Sequence, residues 1–138
     1  MILVDSSVLI NFFSGKTNKQ SILFEELLIS NLEFGICPEI YQELLQGAKS
    51  NREFKQLNDY LSTQTIYTLQ SGLFSRLQAA ELYRKCMKNG ITIRSTIDMI
   101  IAETAIENNL YLLHDDRDFT LMAKTIPELK IYKGFDNN

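Results

Sequence analysis

The sequence has one histidine, His114, and two cysteines, Cys37 and Cys86, among its 138 residues. That scarcity excludes a zinc centre of the usual kind, which gathers several histidine and cysteine ligands. The two cysteines lie far apart with no Cys-x-x-Cys spacing, and the opening Met1-Ile2-Leu3-Val4-Asp5 has no basic leader segment. Reduced thiols and a cytoplasmic location are the expectation. Long apolar runs are also missing. The best candidate is broken by Glu103 and Glu107, short of the roughly 18 to 20 residues that a bilayer span needs. Positive charge is not in excess, with 14 Lys plus Arg against 17 Asp plus Glu and a net charge of −3. A protein that holds nucleic acid by bulk cationic charge, or one kept unfolded by self-repulsion, is therefore disfavoured. No repeat, low-complexity segment or linker divides the chain. What it does have is 45% hydrophobic residues, enough for one well-packed domain over residues 1–138.

The apolar residues are arranged as short strands separated by helices. Ile2 to Val4 is an unbroken apolar run that stops at Asp5-Ser6-Ser7, which fits a strand buried on both faces and a helix capped by a serine. That helix carries Val8 to Phe13 and ends at Gly15, and a second runs from about Asn18 to Ser30. Phe34 to Cys37 reads as a strand, with Pro38 suited to the first turn of a helix reaching Gly47. A surface helix over Asn51 to Ser62 precedes a third strand over Thr65 to Leu69, rich in β-branched and aromatic residues. A strongly amphipathic helix follows over Phe74 to Lys88, and another over Thr96 to Asn108. Strands at Leu110 to Leu113 and Leu129 to Tyr132 flank a short helix at Phe119 to Lys124. Such alternation predicts an α/β fold with a parallel sheet and helices on both faces.

In open parallel sheets, ligands bind beyond the carboxyl ends of the strands, and here those positions are acidic. Asp5 ends the first run, Glu43 lies on the helix after the second, and Asp115, Asp116 and Asp118 follow the fourth. Asp98 opens a helix whose later residues are so apolar that a lone carboxylate there is costly to bury. Each acid also has a structural explanation. Asp98 stands at capping-box spacing from Ser95, Asp5 could serve a helix N-terminus, Glu43 could share a solvated face with Glu39, and the Asp115 to Asp118 acids could be loop residues. Taken together, a carboxylate cluster is what binds a hard divalent cation through oxygen.

Four segments carry a family resemblance. Val4-Asp5-Ser6-Ser7-Val8-Leu9-Ile10, Glu43-Leu44-Leu45-Gln46-Gly47-Ala48, Asp98-Met99-Ile100-Ile101-Ala102 and Leu113-His114-Asp115-Asp116-Arg117-Asp118-Phe119 come in the order and spacing of a PIN-domain ribonuclease. The chain looks most like the VapC toxins of bacterial toxin–antitoxin pairs. The resemblance implies a PIN-like three-layer α/β/α fold with a central parallel sheet of about five strands. It also implies RNA cleavage dependent on Mg²⁺ or Mn²⁺ and a small antitoxin that blocks the site. By position, Asp5, Glu43 and Asp98 match the first three acids. Asp116, two residues before Asp118-Phe119, is taken as the fourth, and Ser6 matches a small hydroxyl position beside the metal. Two residues depart from the pattern: His114 stands where Thr or Ser is frequent, and Glu103 where a small residue is. About 140° of helix rotation separates Glu103 from Asp98, which keeps it out of the site.

The mechanism this implies is phosphodiester hydrolysis, with Asp5, Asp98 and Asp116 on the cation and Glu43 orienting or deprotonating water. RNA, transfer RNA foremost, is the expected substrate, and a homodimer the expected assembly. Lys49 and Arg52, just past Glu43, and Arg94, just before Asp98, are expected to touch phosphates, against the alternative that they are solvated surface charges. His114 reads as a packed or loop histidine. Gly15-Lys16-Thr17 lacks the first glycine of a phosphate-binding loop, whose place falls at Ile10. The rival readings are a PIN-like domain without activity and a phospho-receiver-like signalling module. The receiver needs an acceptor aspartate after the third strand, where Gln70-Ser71-Gly72 stands instead. A haloacid-dehalogenase phosphatase needs a second aspartate where Ser7 stands.

Overall fold

A computed structural model describes residues 1–134. Strand β1 (Ile2–Val4) is fully buried, as an apolar tripeptide without alternation requires. It is followed by α1 (Ser6–Phe13), α2 (Lys19–Ser30), β2 (Phe34–Ile36), α3 (Pro38–Gln46), α4 (Asn51–Leu61) and β3 (Thr65–Ile66). The second half comprises α5 (Leu73–Lys88), α6 (Thr96–Glu107), β4 (Tyr111–Leu113), α7 (Arg117–Thr125) and β5 (Lys130–Ile131). The five strands form one sheet in the order β3-β2-β1-β4-β5, and all four pairings are parallel.

This order explains the layers. The chain moves outward from β1 through β2 to β3, then returns across the sheet to β4 and continues outward to β5. Crossovers of a single hand therefore place α1 to α4 on one face and α5 to α7 on the other. The packing agrees: α1 contacts α2 and α3, and α3 contacts α4, while α5 contacts α6 and α7. The expected three-layer α/β/α arrangement is thus present. The direction of winding reverses between β1 and β4, which opens a crevice beyond their carboxyl ends.

The two faces differ in how they are filled. On one, Phe24 of α2 is wholly buried, meeting the Phe12 ring edge-on at 4.9 Å and the Phe34 ring at 5.4 Å. On the other, α6 is buried nearly all round, Met99 to Ala105 having no exposed member. Between β2 and β3 the strands approach so closely at Gly35 that a Cβ would collide with the Thr65 carbonyl and lie 2.7 Å from the Tyr67 ring.

Three elements differ from expectation. The third strand keeps only two residues of the Thr65 to Leu69 run. Tyr67 N–H still donates to the Ile36 carbonyl at 2.8 Å, but beyond it Asn108 captures the Thr68 carbonyl at 3.0 Å and Glu107 the Gln70 N–H at 2.7 Å, drawing the chain off the sheet. The fifth strand is likewise shortened to Lys130–Ile131. Helix α5 is not the core-facing amphipathic helix its sequence suggests. It buries small residues, Ser75, Ala79 and Cys86, and leaves Leu73, Phe74, Leu77 and Met87 exposed.

Candidate active site

The crevice at the β1/β4 switch point is where the acids converge. Asp5 extends β1 by one bond, its N–H donating to the Leu113 carbonyl of β4 at 2.9 Å. It also caps α1: its Oδ2 accepts from the Ser7 N–H at 3.1 Å and the Ser7 hydroxyl at 2.6 Å. Capping and site membership are therefore not alternatives for this residue. The cap fixes the rotamer, and the side chain stays only 4% exposed. Burial pushes the Asp5 carboxyl above its ordinary range, the Ser7 bonds oppose that, and the nearby Asp116 charge adds to it.

Ser7 also ties the two strand ends together. Its hydroxyl oxygen accepts from the Asp115 N–H at 2.9 Å. The Asp115 carboxylate in turn accepts from Asn11 Nδ2 and Asn18 Nδ2, each at 2.9 Å. That occupation gives Asp115 a structural role, clamping the loop after β4 to α1 and the start of α2. Asp116 caps α7 through its bond from the Asp118 N–H at 2.9 Å, and its charge is felt at Asp5, Glu43 and Asp98. Of the three loop acids, Asp116 is the one coupled to all the others.

Asp98 is held at the start of α6. Ser95 caps the helix, its hydroxyl accepting from the Asp98 N–H at 3.3 Å, yet no reciprocal bond forms from Ser95 to the Asp98 carboxylate. The capping-box explanation accounts for the backbone and leaves the carboxylate free. Burial, then the charges of Asp116, Asp5, Asp118 and Glu43, push its pKa up to about 7. Glu43 reaches the same crevice from α3. Burial and the charge of Asp5 raise its pKa, and a hydrogen bond from the Ser6 side chain works in the opposite direction. The shared face with Glu39 is a minor influence on it.

None of these carboxylates has an ion-pair partner among the described residues; the Lys55–Asp59 contact at 2.9 Å is exposed and lies on α4. Burial and the charges of neighbouring acids thus raise Asp5, Glu43 and Asp98, with no fixed cation among the described residues to relieve them. An all-oxygen donor set of this kind suits a hard divalent ion. Among the described residues no three acidic, histidine or cysteine side chains already stand in a ready-made ion cage. That is compatible with Mg²⁺, which takes one or two carboxylates directly and keeps several waters.

The remaining sequence candidates fall into place differently. Ser6 is buried beside Glu43. Lys49 and Arg52 are exposed on the α3–α4 connection and the first turn of α4, and Arg94 is exposed before Ser95. His114 is packed, 7% exposed, with Nδ1 accepting from the Asp116 N–H at 3.1 Å and its ring 5.3 Å from Phe119. Burial lowers its pKa, so the ring stays neutral. Glu103 is buried away from the crevice and shares a hydrogen bond with Glu107. Burial and that neighbour push Glu103 up to about 8. Burial would raise Glu107 too, but bonds from Glu103, the Gln70 N–H and Ser75 outweigh it. Sequence reasoning passed over Ser7, Asn11 and Asn18. The available signal was the helical spacing of Ser7 and Asn11, four residues apart on one face of α1.

Comparison with known proteins agrees with this geometry. The model of the PIN domain family matches residues 2–125. Ribonuclease VapC11 of Mycobacterium tuberculosis is 27% identical over 125 residues, covering 90% of this chain and 92% of that protein. Ribonuclease VapC6 of the same species is 23% identical over 109 residues, covering 77% and 84%. Among solved structures, VapBC2 from Rickettsia felis bound to a DNA fragment from their promoter gives a TM-score of 0.71 at 22% identity, over 96% of this chain and 98% of that one. VapBC-1 from nontypeable Haemophilus influenzae gives 0.67 at 20% identity, over 96% and 97%.

Proposed function

Because this chain belongs to the PIN domain family, we propose that it is an endoribonuclease toxin of the VapC kind, dependent on Mg²⁺ or Mn²⁺, held in check by a small antitoxin and acting in the cytoplasm. The observation that carries this reading is the convergence of carboxylates at the sheet's switch point: burial and neighbouring charges, Asp116 among them, raise Asp5, Glu43 and Asp98, and none of these has an ion-pair partner among the described residues. The ribonuclease names of relatives across nine tenths of the chain support it. So does the fold shared with toxin–antitoxin assemblies.

Asp5, Asp98 and Asp116 would hold the ion, which when bound supplies Lewis-acid activation of water and neutralises charge on the phosphate. The chain's own groups do the rest. Ser7 orients the Asp5 carboxylate, and the Asp115 clamp to Asn11 and Asn18 keeps the β4 loop against α1. Glu43 is exposed, has a raised pKa and is steadied by Ser6, which suits it to accept a proton from attacking water near neutral pH. With His114 buried and neutral, the leaving oxygen takes its proton from solvent. Ser6, Lys49, Arg52 and Arg94 would contact the RNA. Ile10, Phe13, Ile22 and Ile29, all exposed on α1 and α2, Ile29 at 82%, offer apolar surface for the antitoxin or a second copy. No helix is long and apolar enough to cross a membrane among the described residues, and both cysteines are buried thiols, Cys37 raised to about 12 by burial.

Purified protein incubated with total RNA and with transfer RNA is expected to cut in Mg²⁺ or Mn²⁺ and to leave both intact in EDTA. Cleavage that persists in EDTA would overturn the cation dependence. Absence of cleavage in either ion would overturn the enzymatic reading.

A further inference from the structure

On the helical layer beside the acidic crevice, α5, the segment leading to Ser95, and α6 enclose an open-sided cavity of about 490 Å³. Its floor is apolar and buried, formed by residues such as Met99 and Ile100, and its rim carries Arg76, Tyr83, Arg84 and Arg94. No acidic residue lines it. None of the three guanidinium groups has an ion-pair or hydrogen-bond partner among the described residues. Arg76 and Arg84 lie about 12 Å apart along the α5 axis. Thr96, Met99 and Ile100 line the cavity from the start of α6, whose first turn also carries Asp98.

A chain of net charge −3 does not attract a polyanion as a whole, so three unpaired guanidinium groups on one rim form a local exception. An aromatic face beside unpaired arginines, over an apolar floor, is the combination that holds unpaired nucleotides: the base stacks, the phosphates meet the charges, and no base sequence is demanded. A double helix presents no free base to such a rim. We propose that this cavity is the subsite for a single-stranded RNA nucleotide next to the cleaved bond, its base stacked on Tyr83 and its flanking phosphates held by Arg94, Arg84 and Arg76. The proposal rests on the ribonuclease reading and adds to it the side chains that receive the nucleotide.

The test is fluorescence anisotropy of a short, uncleavable 2′-O-methyl oligoribonucleotide across a salt series, with wild type, the double variant Arg84→Ala/Arg94→Ala, Tyr83→Leu and Tyr83→Phe. The arginine variant is expected to bind at least tenfold more weakly, with the salt slope shallower by about 0.7 for each phosphate contact removed. Tyr83→Leu is expected to lose roughly 5- to 100-fold, the worth of one stacked base, with the slope unchanged, and Tyr83→Phe to bind as wild type. A duplex of the same sequence is expected to bind more weakly than the single strand. If wild type binds RNA and all three variants match it, the subsite is overturned and the ribonuclease reading stands. If wild type neither binds nor cuts RNA, both fall. If an oligoglutamate peptide displaces the RNA and is itself insensitive to Tyr83→Leu, the cavity belongs to an acidic protein segment and the proposal is overturned.

Discussion

Asp98→Asn is expected to reduce RNA cleavage at least about 100-fold, since even the outer partners of a metal ligand are worth roughly 10- to 100-fold in activity. The same change is expected to stabilise the cation-free protein at neutral pH. In the fold, burial and the charges of Asp116, Asp5, Asp118 and Glu43 place the Asp98 carboxyl at about 7, against the ordinary 3.8. Between those two values the folded chain keeps a proton that the unfolded chain has lost. Stability from this group is therefore greatest at the acid end and falls as pH rises towards 7. Asparagine carries no such proton, so the variant's stability should change less over that window. Urea unfolding in EDTA at pH 5 and pH 8, with cleavage assays on the same preparations, reads both effects. A variant that keeps cleavage and is destabilised at pH 8 would give Asp98 a packing role instead.

The largest expected effect on stability lies away from the acids. Phe24→Ala should cost about 3–5 kcal/mol, the usual consequence of emptying a buried aromatic site, out of a total near 5–15 kcal/mol for a domain. Phe24 has no exposed surface and sits edge-on between Phe12 and Phe34, at 4.9 and 5.4 Å. Through Phe12 it sets the seating of α1, the helix that carries Ser6, Ser7 and Asn11 to the site. Phe13→Ala is the matched control: the residue is 43% exposed, and its ring meets those of Phe12 and Tyr60 edge-on. It is expected to cost about 1 kcal/mol or less. Equal losses for the two, measured by chemical denaturation, would contradict the assignment of Phe24 as the pivot of that face.

Much of this was legible in the chain itself because the signals are local. Ile2 to Val4 could be buried only as a central strand, and an acid placed directly after such a run lies at a strand's carboxyl end. The strand order was not legible, since the pairing of β1 with β4 brings residue 2 beside residue 111, and no local pattern encodes that. Strand length was overread at Thr65 to Leu69 because β propensity says nothing of Asn108 and Glu107, which arrive from a distant helix to claim the same backbone groups. For α5, periodicity gave the helix and hid its orientation: the tight packing on α6 selects Ser75 and Ala79, and the larger apolar residues turn outward. At the site, setting Asp115 apart from Asp116 and Asp118 needed hydrogen bonds. Only the structure reveals that Asp115 is already occupied by Asn11 and Asn18.

The most direct test is a Mn²⁺ titration followed by electron paramagnetic resonance, on wild type, Asp5→Asn, Asp98→Asn and Asp116→Asn. Convergence of these carboxylates on one ion requires saturable binding by wild type that Mg²⁺ competes away. It also requires affinity that rises with pH as the carboxyls give up their protons, and marked weakening in each variant. Wild type that binds no Mn²⁺, or variants that bind it as wild type does, would contradict it.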